Sequence, residues 1–176
     1  AMMLLEGADT RVLCDPWVTL DTKSTTGLYN FPETRFTPES IAALKPDYIY
    51  ITHTHADHFD PPTLEYFDKS TPVLVSHYEH NFTANAVRNV GFTDVRISDP
   101  VNGLKLNGDD HCWIEPSAVY SAVDSVGLFR IDGQTVLNIN DNPYHESQFS
   151  EIRQRFGPVD LGCIPYSYLG PYPAFY

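Results

Sequence analysis

A dense group of potential metal ligands limits what this chain can fold into. His53, His55, Asp57 and His58 lie within six residues. They follow residues 48–52, whose β-branched and aromatic side chains predict a strand. Alternate residues of an extended segment face the same way, so the first two histidines can reach one metal position. A turn after them can bring the aspartate and the third histidine to a second position.

Imidazole and carboxylate groups are ordinary ligands of zinc, iron and manganese. The alternative is a surface loop that happens to be rich in histidine. Four potential ligands at the end of a strand argue against that alternative. Two adjacent metals would also polarise a water molecule and clamp a substrate oxygen. We therefore predict a site for one or two ions, zinc first, with iron or manganese as the alternatives.

Strands and helices mix along the rest of the chain, which predicts an α/β or α+β fold with layered sheets. A long loop rich in Thr, Gly, Asn and Pro is expected from Thr19 to Pro38. Asp132-Gly133 predicts a hairpin turn. Strands are predicted at 11–14, 48–52, 73–75, 95–97, 104–106, 112–114, 126–131, 136–139 and 161–164, the last one buried, and helices at 38–44, 61–67, 82–90 and 148–156.

Length and charge narrow the class of protein. A chain of 176 residues suits a single domain, which we expect to span residues 1–176. The net charge of -12 disfavours nucleic acid and anionic membranes as partners and leaves a small-molecule substrate as the expectation. Apolar runs are strand-sized, so no membrane span is predicted, and no secretory signal is evident.

The cysteines suit a reducing compartment. Cys14, Cys112 and Cys163 are odd in number and form no CxxC pair. Each lies in or beside an apolar run, so we expect small buried side chains rather than a disulfide framework. A cytoplasmic protein is the resulting prediction.

The His-x-His-x-Asp-His pattern after an apolar strand resembles the metallo-β-lactamase superfamily. Cys14-Asp15-Pro16-Trp17 is similar to the early strand of that superfamily and its aspartate. The resemblance implies an αββα sandwich with metals at one edge of the two sheets. The nearest similarity is to the metallo-β-lactamase-like part of CMP-N-acetylneuraminate hydroxylase. It rests on residues 15–17, 48–53, 137–141 and 170–173.

The resemblance implies a role for each ligand. His53 and His55 match the ligands of a first metal position, and Asp57 and His58 match those of a second. Asp141 follows a strand-like run and matches the carboxylate that bridges both metals. The alternative for this last residue is an aspartate in a turn before a proline.

The sequence departs from the superfamily in three places. The register of a third histidine of the first position falls on Tyr120, which could be a phenolate ligand or, as we prefer, a pocket residue beside a weakened site. The C-terminal histidine of the second position is missing, and His145 is a candidate to complete the site. Both ends look clipped, because the superfamily normally has another strand before residues 11–14 and further structure after the region of Pro173. An incomplete sandwich would expose sheet edges, so association with another copy is expected.

Three functions remain open, and an enzyme is preferred. The first is a metal-dependent hydrolase in which a metal-bound hydroxide attacks a small-molecule ester, amide or phosphoester, with Asp57 as the catalytic carboxylate. The second is an iron-dependent oxidoreductase of the sialic-acid hydroxylase kind. The third is a non-catalytic remnant of the fold that binds a ligand or partner.

Overall fold

Short apolar runs form ten strands and four helices in the part of the chain that the computed structural model describes, residues 2–19, 34–119 and 123–165. In chain order they are β1 (Met3–Glu6), β2 (Arg11–Cys14), α1 (Pro38–Ala42), β3 (Tyr48–Tyr50), α2 (Pro61–Leu64), β4 (Val73–Val75), α3 (Phe82–Asn89), β5 (Val95–Ile97), β6 (Leu104–Lys105), β7 (His111–Pro116), β8 (Ser125–Ile131), β9 (Gln134–Asn138), α4 (Glu146–Phe156) and β10 (Leu161–Cys163).

The strands form two five-stranded sheets. The first sheet has the order β1-β2-β3-β4-β5, with β2 to β5 parallel and β1 antiparallel to β2. The second has the order β10-β9-β8-β7-β6 and is antiparallel except that β10 runs parallel to β9. The carboxyl ends of β2, β3, β4 and β5 therefore meet at one edge of the first sheet.

Alternation of side chains along the strands creates three apolar layers. One face of the first sheet packs against α1, α2 and α3, and its other face packs against the second sheet. The far face of the second sheet packs against α4. Representative residues of the three layers are Ile49, Ile51 and Val87, then Tyr50, Ile114 and Phe129, then Leu128, Leu137 and Ile152. The predicted αββα sandwich is thus confirmed.

Local sequence signals explain how several elements begin and end. Thr37 caps α1 by accepting a hydrogen bond from the Ser40 backbone, while the Ser40 hydroxyl accepts one from the Thr37 backbone. Asp132 and Gly133 both adopt positive φ, at 50° and 76°, in the turn between β8 and β9. That conformation is the one a two-residue hairpin turn needs, and it confirms the predicted hairpin.

Two expectations about the ends of the sheets are wrong. The sequence was expected to lack the strand that precedes residues 11–14 in the superfamily, but β1 is that strand. Only Leu5 of its four residues is buried, so its sequence carries little of the apolar pattern by which a strand is detected. The last strand was expected to be buried, but Leu161 is 54% exposed and Ile164, just beyond the strand, is 62% exposed. The physical reason is that, among the described residues, β10 lies at the edge of its sheet and pairs with β9 alone.

The remaining expectations have mixed outcomes. Cys14 and Cys112 are buried as predicted, whereas Cys163 is only partly buried, and all three are free thiols. The long loop predicted between Thr19 and Pro38 lies largely at 20–33, outside the described residues. No helix in the described ranges is long and apolar enough to cross a membrane.

A glycine on β8 makes room for the aromatic packing between the sheets. A Cβ atom at Gly127 would lie 2.6 Å from Cε2 of Phe129 and 2.9 Å from Cε1 of Tyr50. We expect Gly127→Ala to lower the free energy of unfolding by about 1–3 kcal/mol, because the buried rings must shift. Urea unfolding monitored by circular dichroism measures the change.

Gly162 on β10 supplies the control, because a Cβ there would meet no atom within 4 Å. Gly162→Ala should change the free energy of unfolding by no more than about 0.5 kcal/mol. Equal unfolding free energies for the two variants would contradict the close packing around Gly127.

Candidate metal centre

The edge where the parallel strands end gathers the polar residues of the site. Asp15 directly follows β2, and Thr52 and His53 lie two and three residues beyond β3. On the second sheet, Asp124 directly precedes β8 and Asn140 follows β9. All five residues are buried, which is unusual for carboxylate and imidazole groups and requires partners.

His53 and His55 turn ring nitrogens toward each other. His53 Nε2 lies 2.8 Å from His55 Nδ1, and the two rings meet edge to face. His53 is buried, whereas His55 is exposed. Two nitrogens that converge in this way can serve one metal position.

His58 lies between three carboxylates. Its Nδ1 is 2.9 Å from Asp15 Oδ2, and its Nε2 is 3.1 Å from Asp141 Oδ2 and 3.4 Å from Asp57 Oδ2. Burial by itself lowers the pKa of His58, but hydrogen bonds with Asp141, Asp15 and Asp57 outweigh it and raise that pKa to about 11. In the metal-free protein, therefore, the proton on His58 Nε2 lies between the carboxylates of Asp57 and Asp141. The same two carboxylates would stabilise a metal cation.

The same group lowers the pKa values of its neighbours. The hydrogen bond from His58 is the main reason that the pKa of Asp141 is lowered. Burial raises the pKa of Asp57, but contacts with His58 outweigh this and lower it to about 2. Burial, followed by repulsion from His58 and His55, lowers the pKa of His53 to about 3. At neutral pH the metal-free site thus holds a neutral His53 and ionised Asp57 and Asp141 beside a protonated His58, which must give up its Nε2 proton to bind a metal.

Asp15 holds the third histidine in a fixed orientation. Its Oδ2 accepts from His58 Nδ1 and, at 2.8 Å, from the Thr52 hydroxyl, while its Oδ1 accepts from the Thr52 backbone N–H at 2.8 Å. With a proton on Nδ1 held by Asp15, the His58 ring presents Nε2 to the metal position. The sequence identified this aspartate only as part of a similar strand end, without a role.

Asp124 and Asn140 support His53 from behind, and neither was predicted. Asn140 Nδ2 lies 2.7 Å from Asp124 Oδ1 and 3.1 Å from His53 Nδ1. Asp124 Oδ1 is 3.6 Å from the same ring nitrogen, and burial raises the pKa of this carboxyl. The only signal in the sequence is that polar residues flank β8 and β9.

The turn after β9 presents Asp141 to the site. Asn140 adopts a left-handed conformation with φ 53°, which asparagine tolerates better than most residues. The Asn142 side chain is fully buried and donates to the Ile139 carbonyl at 2.7 Å. Between these two anchors the Asp141 side chain is 53% exposed and reaches His58.

The structure brings together five of the predicted site residues: His53, His55, Asp57, His58 and Asp141. Ligand atoms of His53, His58 and Asp141 all lie within 4.8 Å of one another. Tyr120 lies outside the described residues, so its predicted role stays a prediction. His145 is exposed at the start of α4, where its backbone N–H donates to Gln148 Oε1 at 2.9 Å.

The donor set fits a divalent metal. Neutral imidazole nitrogen and ionised carboxylate oxygen suit zinc, manganese and iron alike. The carboxylates around His58 Nε2 supply the negative charge that would offset a bound cation. The donor set is therefore common to all three metals.

The chain is similar in sequence to known proteins over most of its length. A family model described as a beta-lactamase superfamily domain matches residues 1–120. A candidate Rieske 2Fe-2S iron-sulfur protein of Mycolicibacterium smegmatis is 27% identical over an alignment of 184 residues, which covers all of this chain and 34% of that protein. The chain thus spans about a third of the length of this curated relative.

Solved structures share the fold. A possible metal-dependent hydrolase from Veillonella parvula superposes with a TM-score of 0.66 at 20% identity, covering 89% of this chain and 65% of that one. A variant of the CmlA beta-hydroxylase superposes with a TM-score of 0.67 at 22% identity, covering 92% of this chain and 33% of that one. With the family match over residues 1–120, these likenesses lead to one conclusion: the chain belongs to the beta-lactamase superfamily and has the metallo-β-lactamase fold.

Proposed function

We propose that this chain is a metal-dependent hydrolase of a small-molecule ester, amide or phosphoester. The observation that carries the proposal is the convergence of ring nitrogens and carboxylates at one sheet edge. His53 Nε2 and His55 Nδ1 are 2.8 Å apart, and His58 Nε2 lies within 3.4 Å of carboxylate oxygens of Asp57 and Asp141. Such a donor set can serve two adjacent metal positions.

A metal held by these residues would polarise a substrate oxygen and activate a water molecule for attack. We assign His53 and His55 to one position, Asp57 and His58 to the other, and Asp141 between them. Zinc is the metal that we propose first, because mixed nitrogen and oxygen donors are common in catalytic zinc sites.

Asp57 is the carboxylate that we propose to act on the proton of the nucleophile. Its side chain is 27% exposed, so it can reach a water molecule or a substrate. Its pKa of about 2 keeps it ionised at neutral pH and able to accept a hydrogen bond. Its neighbour His58 is 1% exposed and is held from behind by Asp15, so the pair is fixed on one side and open on the other.

The charge of the chain favours a small substrate over a macromolecule. A net charge of -12 repels phosphate backbones and anionic membranes. Lysine and arginine side chains number only 11 and are spread along the sequence. We therefore propose a small molecule as substrate and neither nucleic acid nor membrane as partner.

An iron-dependent oxidoreductase is the second candidate, and the comparisons are what favours it. A relative is named as a candidate Rieske protein, and one similar fold is that of a beta-hydroxylase. Imidazole and carboxylate also bind iron. In this case electrons would come from a separate centre, since the chain contains no Cys-x-His pair for a Rieske cluster.

The metal content of the protein purified without added metal tests the proposal. Elemental mass spectrometry should find zinc or manganese at about two equivalents per chain, the content of a two-metal hydrolase site. His55→Ala should lower this content, because one of two converging nitrogens is removed. His80→Ala is the control, since His80 is exposed and contacts the Phe82 ring.

Iron with a visible absorption band would instead favour the oxidoreductase. Less than about half an equivalent of any metal would contradict a tight site and favour a non-catalytic remnant of the fold.

Asp57→Asn should lower kcat against chromogenic ester, thioester and phosphodiester substrates by about 10²- to 10⁴-fold, the usual contribution of a positioned acid or base. The matched control is Asp109→Asn, which removes an exposed charge away from the site. Unchanged kcat in Asp57→Asn, with metal still bound, would exclude the role that we assign to this carboxylate.

A further inference from the structure

Thr52 is a buried residue that makes several hydrogen bonds and directly precedes His53. Its side chain is fully buried, and both of its donors go to one carboxylate: the backbone N–H to Asp15 Oδ1 and the hydroxyl to Asp15 Oδ2, each at 2.8 Å. Its carbonyl accepts from the Tyr78 hydroxyl at 3.1 Å and from Ser125 Oγ at 2.7 Å. These four hydrogen bonds fix its position at the carboxyl end of the first sheet.

The single proton of the Thr52 hydroxyl limits the kind of hydrogen bond that this group can make with His53. A hydroxyl has one proton, and the Thr52 hydroxyl donates it to Asp15 Oδ2 at 2.8 Å. Thr52 Oγ1 can then only accept further hydrogen bonds. His53 Nδ1 lies 3.0 Å from it, so a good hydrogen bond requires the proton of His53 to be on Nδ1.

We propose that the Thr52 hydroxyl is a positioning group that selects the metal-binding tautomer of His53. With its proton on Nδ1, the His53 ring keeps its lone pair on Nε2. In the metal-free protein this lone pair accepts a hydrogen bond from His55 Nδ1 at 2.8 Å, and a metal could take the place of that proton. The inference rests on the proposed function in one respect, namely that His53 and His55 hold a metal.

The two metal positions depend on Thr52 unequally. His58 Nδ1 bonds directly to Asp15 Oδ2 at 2.9 Å and lies 3.5 Å from Thr52 Oγ1. Asp15 therefore orients His58 itself and orients His53 through Thr52. Removal of the Thr52 hydroxyl should lower the metal affinity of the position that contains His53. The affinity of the position that contains His58 should be unchanged.

Asn140 is a competing partner of the same ring nitrogen. Its Nδ2 lies 3.1 Å from His53 Nδ1 and also donates to Asp124 Oδ1 at 2.7 Å. A proton donated by this amide to Nδ1 would force the His53 proton onto Nε2, where it would compete with a metal. The Thr52 oxygen, and the Asp124 carboxylate 3.6 Å away, both favour a proton on Nδ1 instead.

The test compares Thr52→Val, which removes the hydroxyl at nearly constant shape, with Thr52→Ser, which keeps it. Thr54→Val is the matched control, because Thr54 is exposed on the same loop. Two-bond ¹H–¹⁵N NMR spectra of the metal-free protein report the tautomer of His53. Calorimetric titration with Zn²⁺ reports the affinity of each metal position.

We expect the wild type, Thr52→Ser and Thr54→Val to carry the His53 proton on Nδ1. Thr52→Val should move it to Nε2 and weaken one of two zinc-binding steps by about 10- to 100-fold, the usual effect of losing an outer-shell partner. A wild-type spectrum with the proton on Nε2 would overturn the inference, even if Thr52→Val does not fold. Equal zinc affinities for Thr52→Val and Thr52→Ser would overturn it as well.

The tautomer is measured without metal, so it separates this inference from the proposed function. Zinc-loaded protein that hydrolyses none of the substrates tested would count against the hydrolase. The expected tautomers and zinc affinities in that same protein would still support the role of Thr52.

Discussion

The buried carboxylate of Asp15 is the interaction on which the site depends. A buried charge is costly unless it is paired and hydrogen-bonded, and here three donors from Thr52 and His58 satisfy it. These contacts join the end of β2 to the end of β3 and to the turn that holds the histidines. The Asp15 carboxylate therefore holds the end of β2 in place against the loop that carries His53, His55, Asp57 and His58.

The site also depends on the way the two sheets face each other. Tyr50 on β3 reaches across the core to Ser125 on β8, with 2.9 Å between their oxygens, and Ser125 Oγ in turn donates to the Thr52 carbonyl. The Tyr50 ring can lie there because Gly127 has no side chain to meet it. Packing between the sheets thus helps to fix Thr52, and the site spans both layers of strands.

The fold leaves the chemistry open, and the ligands narrow it. Proteins of similar fold include a possible metal-dependent hydrolase and a beta-hydroxylase, so the sandwich by itself does not select between these classes. What the described residues of this chain contribute is a neutral, preoriented His53, a His58 surrounded by carboxylates, and an exposed Asp141. The metal that occupies these donors would decide between hydrolysis and oxidation.

The sequence by itself determined the layered fold class and the histidine cluster. Strand patterns, the Asp132-Gly133 turn and the spacing of His53, His55, Asp57 and His58 are local, so they can be detected without coordinates. The sequence also predicted Asp141 as a ligand, because this residue follows a strand-like run and matches a carboxylate of the superfamily that the chain resembles.

Only the tertiary structure could assign roles to Asp15, Asp124 and Asn140. Asn140 lies 87 residues from His53 in the chain, and no local pattern links two residues so far apart. Likewise, the exposure of β10 depends on its place at a sheet edge, which its apolar sequence does not encode. Contacts across the sheets decided which polar residues orient the ligands, because those residues meet only when the strands have paired and packed.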